Sequence, residues 1–130
     1  MKKDEPQSSE CVDVIRKVPD EFQLSEPSII YAEVCGTLAR RVSASVASEA
    51  RMQLDRIIDA DFLAQCDKTF CLAAYTLCPE YNIYAMDALY LRAALDHNAI
   101  LVSLDKGDFV DRVKAKSTDI EAYHPSQFPY

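Results

Sequence analysis

The chain has only two glycines in 130 residues, too few to build a glycine-rich loop that cradles a phosphate. It has only two histidines, His97 and His124, and neither belongs to a motif that activates a nucleophile. No stretch approaches the roughly 18 consecutive apolar residues of a membrane span. The opening residues, Met1 to Glu10, are polar and lack the apolar run of a secretory signal. These absences point to a cytoplasmic protein with no membrane partner. Cysteine is present, but Cys11, Cys35, Cys66, Cys71 and Cys78 are odd in number and show no C-x-x-C. Most fall at apolar positions of helical segments and read as reduced core residues. A zinc site of Cys66, Cys71, Cys78 and His97 fits none of the usual ligand spacings.

What is there suffices for one globular domain, expected over residues 1–130. Apolar residues make up 49% of the chain and charged residues 27%, outside the compositional range of disorder. The formal charge is -7, from 21 acidic against 14 basic residues. That balance argues against a partner held mainly by phosphate neutralisation. It is also what results when carboxylates are gathered into a site that needs divalent cations before it accepts a phosphate backbone.

Along the chain, helical and strand periods alternate. Ser8 and Ser9 are candidate caps for an amphipathic helix over 8–18 bearing Cys11, Val14, Ile15 and Val18 on one face, stopped by Pro19. Phe22-Gln23-Leu24 is a short strand candidate, and Ser25 and Pro27 suit the cap and first turn of a helix running to about Val42. A further helix is expected over 45–58, a strand over Asp61 to Cys66, a helix from Asp67 closed by Pro79, and another from Tyr84 to His97. Ile100 to Leu104 lies in the most apolar run and reads as a buried parallel strand. A short helix at 108–115 and a last strand over Ile120 to Tyr123 complete an α/β fold with a parallel sheet. The chain opens on a helix, and Met1 to Pro6 offers no strand in front of it.

Three carboxylates stand at positions that need explaining. Glu33 falls inside the apolar arc of Ile29, Ile30, Val34 and Leu38, where the arc's edge is wet, or Arg40 or Arg41 pairs with it, or it serves a site. Asp87 heads the stripe of Leu91 and Leu95, a place equally suited to a first-turn acid stabilised by the helix dipole. Asp105 follows the carboxyl end of the apolar strand, with Asp108 and Asp111 behind it. Ligands of open parallel sheets bind there, and turn and cap chemistry also places an Asp there. If both helices pack against that strand, three like charges meet in one pocket. Such a cluster is costly without cations, and Mg²⁺ or Mn²⁺ on hard oxygen ligands is the usual apparatus for cleaving phosphodiesters.

Pro27-Ser28-Ile29-Ile30-Tyr31-Ala32-Glu33-Val34, Met86-Asp87-Ala88-Leu89 and Ile100-Leu101-Val102-Ser103-Leu104-Asp105 together resemble the three spaced acidic motifs of PIN domains, particularly VapC-like toxins. Asp119 to Pro125 is similar to that family's last strand, and the likeness covers roughly residues 4–128. The resemblance implies a three-layer α/β/α sandwich around a short parallel sheet, Mg²⁺- or Mn²⁺-dependent endoribonuclease activity, an RNA substrate, a homodimer and an antitoxin partner. By position it makes Glu33, Asp87 and Asp105 metal ligands and catalytic residues. Asp108 becomes a further ligand, and Ser103 orients a carboxylate or water. The family normally opens with a central strand ending in a metal-binding Asp, which this sequence does not show. Asp4 falls where a loop is expected. A catalytically degenerate PIN-fold binding module is therefore the alternative, and an unrelated α/β protein whose acids are helix caps is the third reading. Arg40, Arg41, Arg92, Lys106 and Lys114 are the cations to examine for RNA contact.

Overall fold

The computed structural model describes residues 8–117 and 119–130, so the expectation that Met1 to Pro6 forms no strand lies outside the described residues. In chain order the elements are α1 (Ser8–Ile15), β1 (Glu26–Pro27), α2 (Ile30–Arg41), α3 (Ala44–Ile57), β2 (Leu63–Ala64), α4 (Lys68–Tyr75), α5 (Leu77–Tyr81), α6 (Ala85–Asp96), β3 (Leu101–Val102), α7 (Asp111–Lys116) and β4 (Ala122–Tyr123). Short 3-10 turns at Ala60–Phe62 and Pro125–Gln127 and a π-helical turn at Lys106–Val110 fill the connections. The predicted helix-rich α/β class with parallel strands is observed.

Local chemistry sets several boundaries. Ser43 and Asp67 cap α3 and α4, their side chains accepting the N–H groups of Val46 and Phe70 at 3.1 and 2.8 Å. α6 buries Ala88, Leu91, Ala93 and Ala94, small residues around one leucine that let neighbours approach it closely. Packed with it are Val110, Val113, Phe109, Leu101 and Ala122, the main core.

The sheet is interrupted. β1 pairs in parallel with β2, Glu26 opposite Leu63 and Pro27 opposite Ala64, while β3 pairs in parallel with β4, Leu101 opposite Ala122 and Val102 opposite Tyr123. These are two separate two-stranded sheets, and both β1 and β3 lie against α6. Among the described residues no strand joins β1 to β3.

Four expectations need correction. The strand expected at Phe22–Leu24 lies later, at Glu26–Pro27, and α2 starts at Ile30 without a side-chain cap. The reason is that Ser28 extends the β1–β2 ladder. Its N–H bonds the Ala64 carbonyl at 2.7 Å and its Oγ accepts the Cys66 N–H at 3.0 Å, which holds Pro27 extended. Pro79 does not close α4; it sits in the first turn of α5, where a missing N–H costs nothing, and Asn82 in the left-handed region (φ 54°) makes the stop. The apolar run Ile100–Leu104 is not buried throughout: Leu101 is, but Leu104 is 45% exposed. Likewise, of the predicted face of α1 only Cys11 is buried, and Ile15 is 47% exposed. Both segments border the gap in the sheet.

Candidate functional site

Of the predicted acids, Asp105, Glu33 and Asp108 act electrostatically on Asp87. Glu33 sits in the first turn of α2, half-buried, and its Oε2 accepts a 2.8 Å hydrogen bond from the Tyr90 hydroxyl. Tyr90 lies three residues after Asp87 on α6, and that spacing places both on one side of the helix. Burial raises the Asp87 carboxyl above its ordinary value, and the charges of Asp105, Glu33 and Asp108 raise it further. The four carboxylates therefore share one electrostatic field although they come from three separate parts of the chain. No ion pair joins Glu33 to Arg40 or Arg41 among the described residues.

Asp105 is exposed just beyond β3. Its Oδ1 accepts the Asp108 N–H at 3.0 Å, and its own N–H donates to Ser103 Oγ at 3.1 Å. Turn chemistry and strand-end placement thus coexist at one residue, and Ser103 holds the Asp105 backbone. Asp108 is engaged differently: its Oδ1 stands 2.9 Å from an Arg112 guanidinium nitrogen. Among the described residues no three His, Cys, Asp or Glu side chains are placed to hold one metal ion together, and this includes the Cys66, Cys71, Cys78 and His97 set. Cys35, Cys66, Cys71 and Cys78 are free thiols. His97 instead hydrogen bonds through Nδ1 with Ser25 and packs edge-on against Phe62.

Sequence reading missed two residues. Glu26, in β1, is pushed up to about 8 by burial and then by the Glu33 charge. Its Oε2 is buried with no hydrogen-bond partner. Tyr90 is the other; burial, donation to Glu33 and the charges of Glu33, Glu26 and Cys66 all hold its phenol proton tightly. Glu26 is the first residue of β1, so strand-end placement gave no signal for it. The misplaced strand boundary hid it.

By donor type these are hard oxygen ligands of the kind a divalent cation takes, although among the described residues no three of them are placed to hold one ion. They are carboxylate oxygens, the charges of Asp105, Glu33 and Asp108 raise the proton affinity of Asp87, one Glu26 oxygen is orphaned and buried, and Glu33, Asp87 and Asp105 have no ion-pair partner among the described residues. The proposed RNA-contacting cations are mostly engaged locally. Arg92 pairs with Asp96 at 2.6 Å, Lys106 with Asp111 at 3.0 Å, and Lys114 lies over the Tyr123 ring. Arg40 and Arg41 are exposed in the last turn of α2.

The fold is similar to the solved structure of VapBC-1 from nontypeable Haemophilus influenzae, with a TM-score of 0.64 and 16% identity over 93% of this chain and 88% of that one. No curated protein matches the chain. A family model for the PIN domain matches residues 1–116, which covers every acid around the gap. The chain belongs to the PIN-domain family.

Proposed function

We propose that this protein is a PIN-type nuclease, a Mg²⁺- or Mn²⁺-dependent endoribonuclease acting within a toxin–antitoxin pair. The observation that carries the reading is the shared field of Glu33, Asp87 and Asp105, contributed by α2, by α6 and by the end of β3. Glu33, Asp87 and Asp105 are the ligands and catalytic residues in this reading, with Glu26 and Asp108 at the margin of the site. When bound, the ion supplies Lewis-acid stabilisation of a phosphodiester and a more acidic water. The chain's own contribution is orientation. Tyr90 fixes one oxygen of Glu33 and leaves the other open, while the Asp108 N–H and Ser103 hold Asp105 at the rim. The VapBC-1 likeness supports an antitoxin protein as partner; a homodimer as the working form, in the cytoplasm, belongs to the same proposal. No helix of the described residues is long and apolar enough to cross a membrane.

Calorimetric titration with Mn²⁺, alongside cleavage of single-stranded and structured RNA, tests this. Asp87→Asn, Asp105→Asn and Glu33→Gln are each expected to weaken Mn²⁺ binding and to lower cleavage by about a hundredfold or more. Unchanged Mn²⁺ binding in both Asp variants would remove the reading. The interrupted sheet and the lack, among the described residues, of a closed three-ligand group favour a second reading, a degenerate module that binds a partner without cutting. Its signature is partner capture with no Mn²⁺ titration and no metal-dependent product.

A further inference from the structure

Of the five cysteines, Cys11 is buried, Cys35 packs with the Ile30 and Leu54 cluster, and Cys78 packs with the main core. Cys71 is exposed, and Cys66 is half-buried and belongs to neither cluster among the described residues. These two do not fill the core role that the sequence suggests for the cysteines. We propose that Cys66 and Cys71 form a modification site, a thiol pair that hydrogen peroxide converts to a disulfide, and that this bridge loosens the hold on Glu33.

The pairing follows from how α4 begins. Asp67 caps the helix, so Cys66 is the residue before the cap and Cys71 the fourth residue of the helix. Side chains at these two positions fold together across a helix N-terminus, a place that apolar residues usually fill. Here Cys71 Sγ lies 3.9 Å from the Cys66 carbonyl oxygen. Cys66 sits at the corner of a tight three-residue turn, closed by the Asp67 N–H on the Gln65 carbonyl at 2.9 Å. A corner residue re-aims its side chain without displacing β2 or α4. With peroxide as oxidant the chemistry balances. The exposed Cys71 thiolate attacks one peroxide oxygen and breaks the O–O bond, leaving a sulfenic acid and hydroxide. The Cys66 thiolate then attacks that sulfur and expels a second hydroxide. The two hydroxides take up the two thiol protons, so two thiols and one peroxide give one disulfide and two waters.

Two links tie this pair to Glu33. The Cys66 N–H donates to Ser28 Oγ at 3.0 Å, and the Ser28 carbonyl accepts the Tyr31 N–H at 3.3 Å at the start of α2, whose first turn carries Glu33. Cys66 is also close to Tyr90, the hydrogen-bond partner of Glu33: after burial, that hydrogen bond and the charges of Glu33 and Glu26, the Cys66 charge helps hold the phenol proton. Drawing the sulfur toward Cys71 turns it from Tyr90 and pulls on the Ser28 bond at once. In a compartment that keeps thiols reduced, such a bridge is transient. Its effect on metal loading rests on the nuclease reading above; the bridge and its effect on the start of α2 do not.

The test treats the full chain, reduced and in EDTA, with hydrogen peroxide and then alkylates the remaining thiols. Trypsin cuts after Lys68 and chymotrypsin after Tyr75, so a Cys66–Cys71 bridge joins two fragments that part on reduction, and Cys78 lies outside both. This bridge is expected while Cys35 and Cys78 still take the alkylating reagent. Amide exchange from Ser28 to Glu33 should quicken about threefold or more in the bridged chain, the loss of roughly one hydrogen bond, and should return on reduction. Cys71→Ser should leave that exchange unresponsive to peroxide, and Cys66→Ser should stop Cys71 at a sulfenic acid that dimedone traps. Mapping and exchange in the unsubstituted chain stand even if a serine variant fails to fold. A reduced chain that binds no Mn²⁺ sinks the nuclease reading and leaves the bridge standing. Oxidation of the unsubstituted chain that ends at Cys71 without a bridge, a bridge from Cys71 to Cys78, or unchanged exchange in the bridged chain overturns the proposal.

Discussion

On the side of α4 to α7, with β3 and β4, the core is continuous and Leu91, Val110 and Val113 are fully buried. On the side of α2 and α3, with β1 and β2, just Ile30, Leu54 and Ile58 form the buried cluster, bordered by half-buried neighbours such as Val34 and Leu63. The acids are divided across this boundary. Asp87, Asp105 and Asp108 come from the well-packed side, Glu26 and Glu33 from the thinner one. The geometry of the site therefore depends on what crosses the gap, chiefly the Tyr90–Glu33 hydrogen bond and the contact of His97 with Ser25 and Phe62. Global stability and site geometry are carried by different residues.

The sharpest way to break this contrast is to truncate each core. Leu91→Ala should cost about 3 to 5 kcal/mol of unfolding free energy, because α6 and the residues around it cannot collapse into the void. Leu54→Ala should cost about 2 kcal/mol, at the low end for such truncations, since its cluster is small and near solvent. Urea unfolding of both variants measures the two values. Equal losses would mean that the packing difference has no energetic content.

The pH dependence sharpens it next. Glu26 has its proton held more tightly in the folded chain than in the unfolded one, from an ordinary 4.5 up to about 8. Between those values the native state binds more protons, so unfolding free energy falls as pH rises. The slope approaches 1.4 kcal/mol per pH unit, on the order of 2 to 3 kcal/mol between pH 5 and 7. The stabilising proton is fully in place below about 4.5 and is lost as pH climbs through about 8. In metal-free buffer, Glu26→Gln should flatten the profile in this window. A profile unchanged by the substitution would show that the thinner half is wet enough to solvate this carboxylate.

The same contrast explains what was legible in the sequence. The stripe of α6, the acid at its head and the acid after β3 could be read because helical periodicity and strand-end placement are local patterns. Glu33 was readable as an acid out of place, but its partner Tyr90 lies on another element and leaves no mark at short range. Glu26 was hidden by a strand boundary displaced from Phe22–Leu24 to Glu26–Pro27, which the Ser28 contacts with Ala64 and Cys66 decide. Those contacts join distant residues. The exposure of Leu104 and Ile15 was also out of reach, because an apolar run predicts burial only where something packs against it.

Tyr90→Phe probes the gap itself. It removes one hydrogen bond to a carboxylate and no packing volume, so a loss of about 1 to 2 kcal/mol is expected. The comparison predicts a split in the readouts. Mn²⁺ affinity should change with Glu33 released from its partner, while the amides of α6 beyond Leu91 keep their protection from exchange. A variant that loses protection throughout α6 would show that this hydrogen bond supports the core rather than the site.

The smallest effect is expected at Asp108, and it separates two acids that sequence spacing treats alike. Asp105 is tied only through one oxygen to a backbone N–H, which leaves its other oxygen free. Asp108 is paired with Arg112, whose guanidinium also reaches the Asn82 carbonyl. Both partners of that pair are well exposed, at 51% and 34%, so solvent screening limits the stability it contributes to about 0.5 kcal/mol. Asp108→Asn should accordingly leave unfolding almost unchanged and lower Mn²⁺ affinity far less than Asp105→Asn. If the two Asn variants lose Mn²⁺ equally, Arg112 must release Asp108 when the ion binds. Arg112→Ala should then raise Mn²⁺ affinity, because a carboxylate freed from its cation is the better ligand.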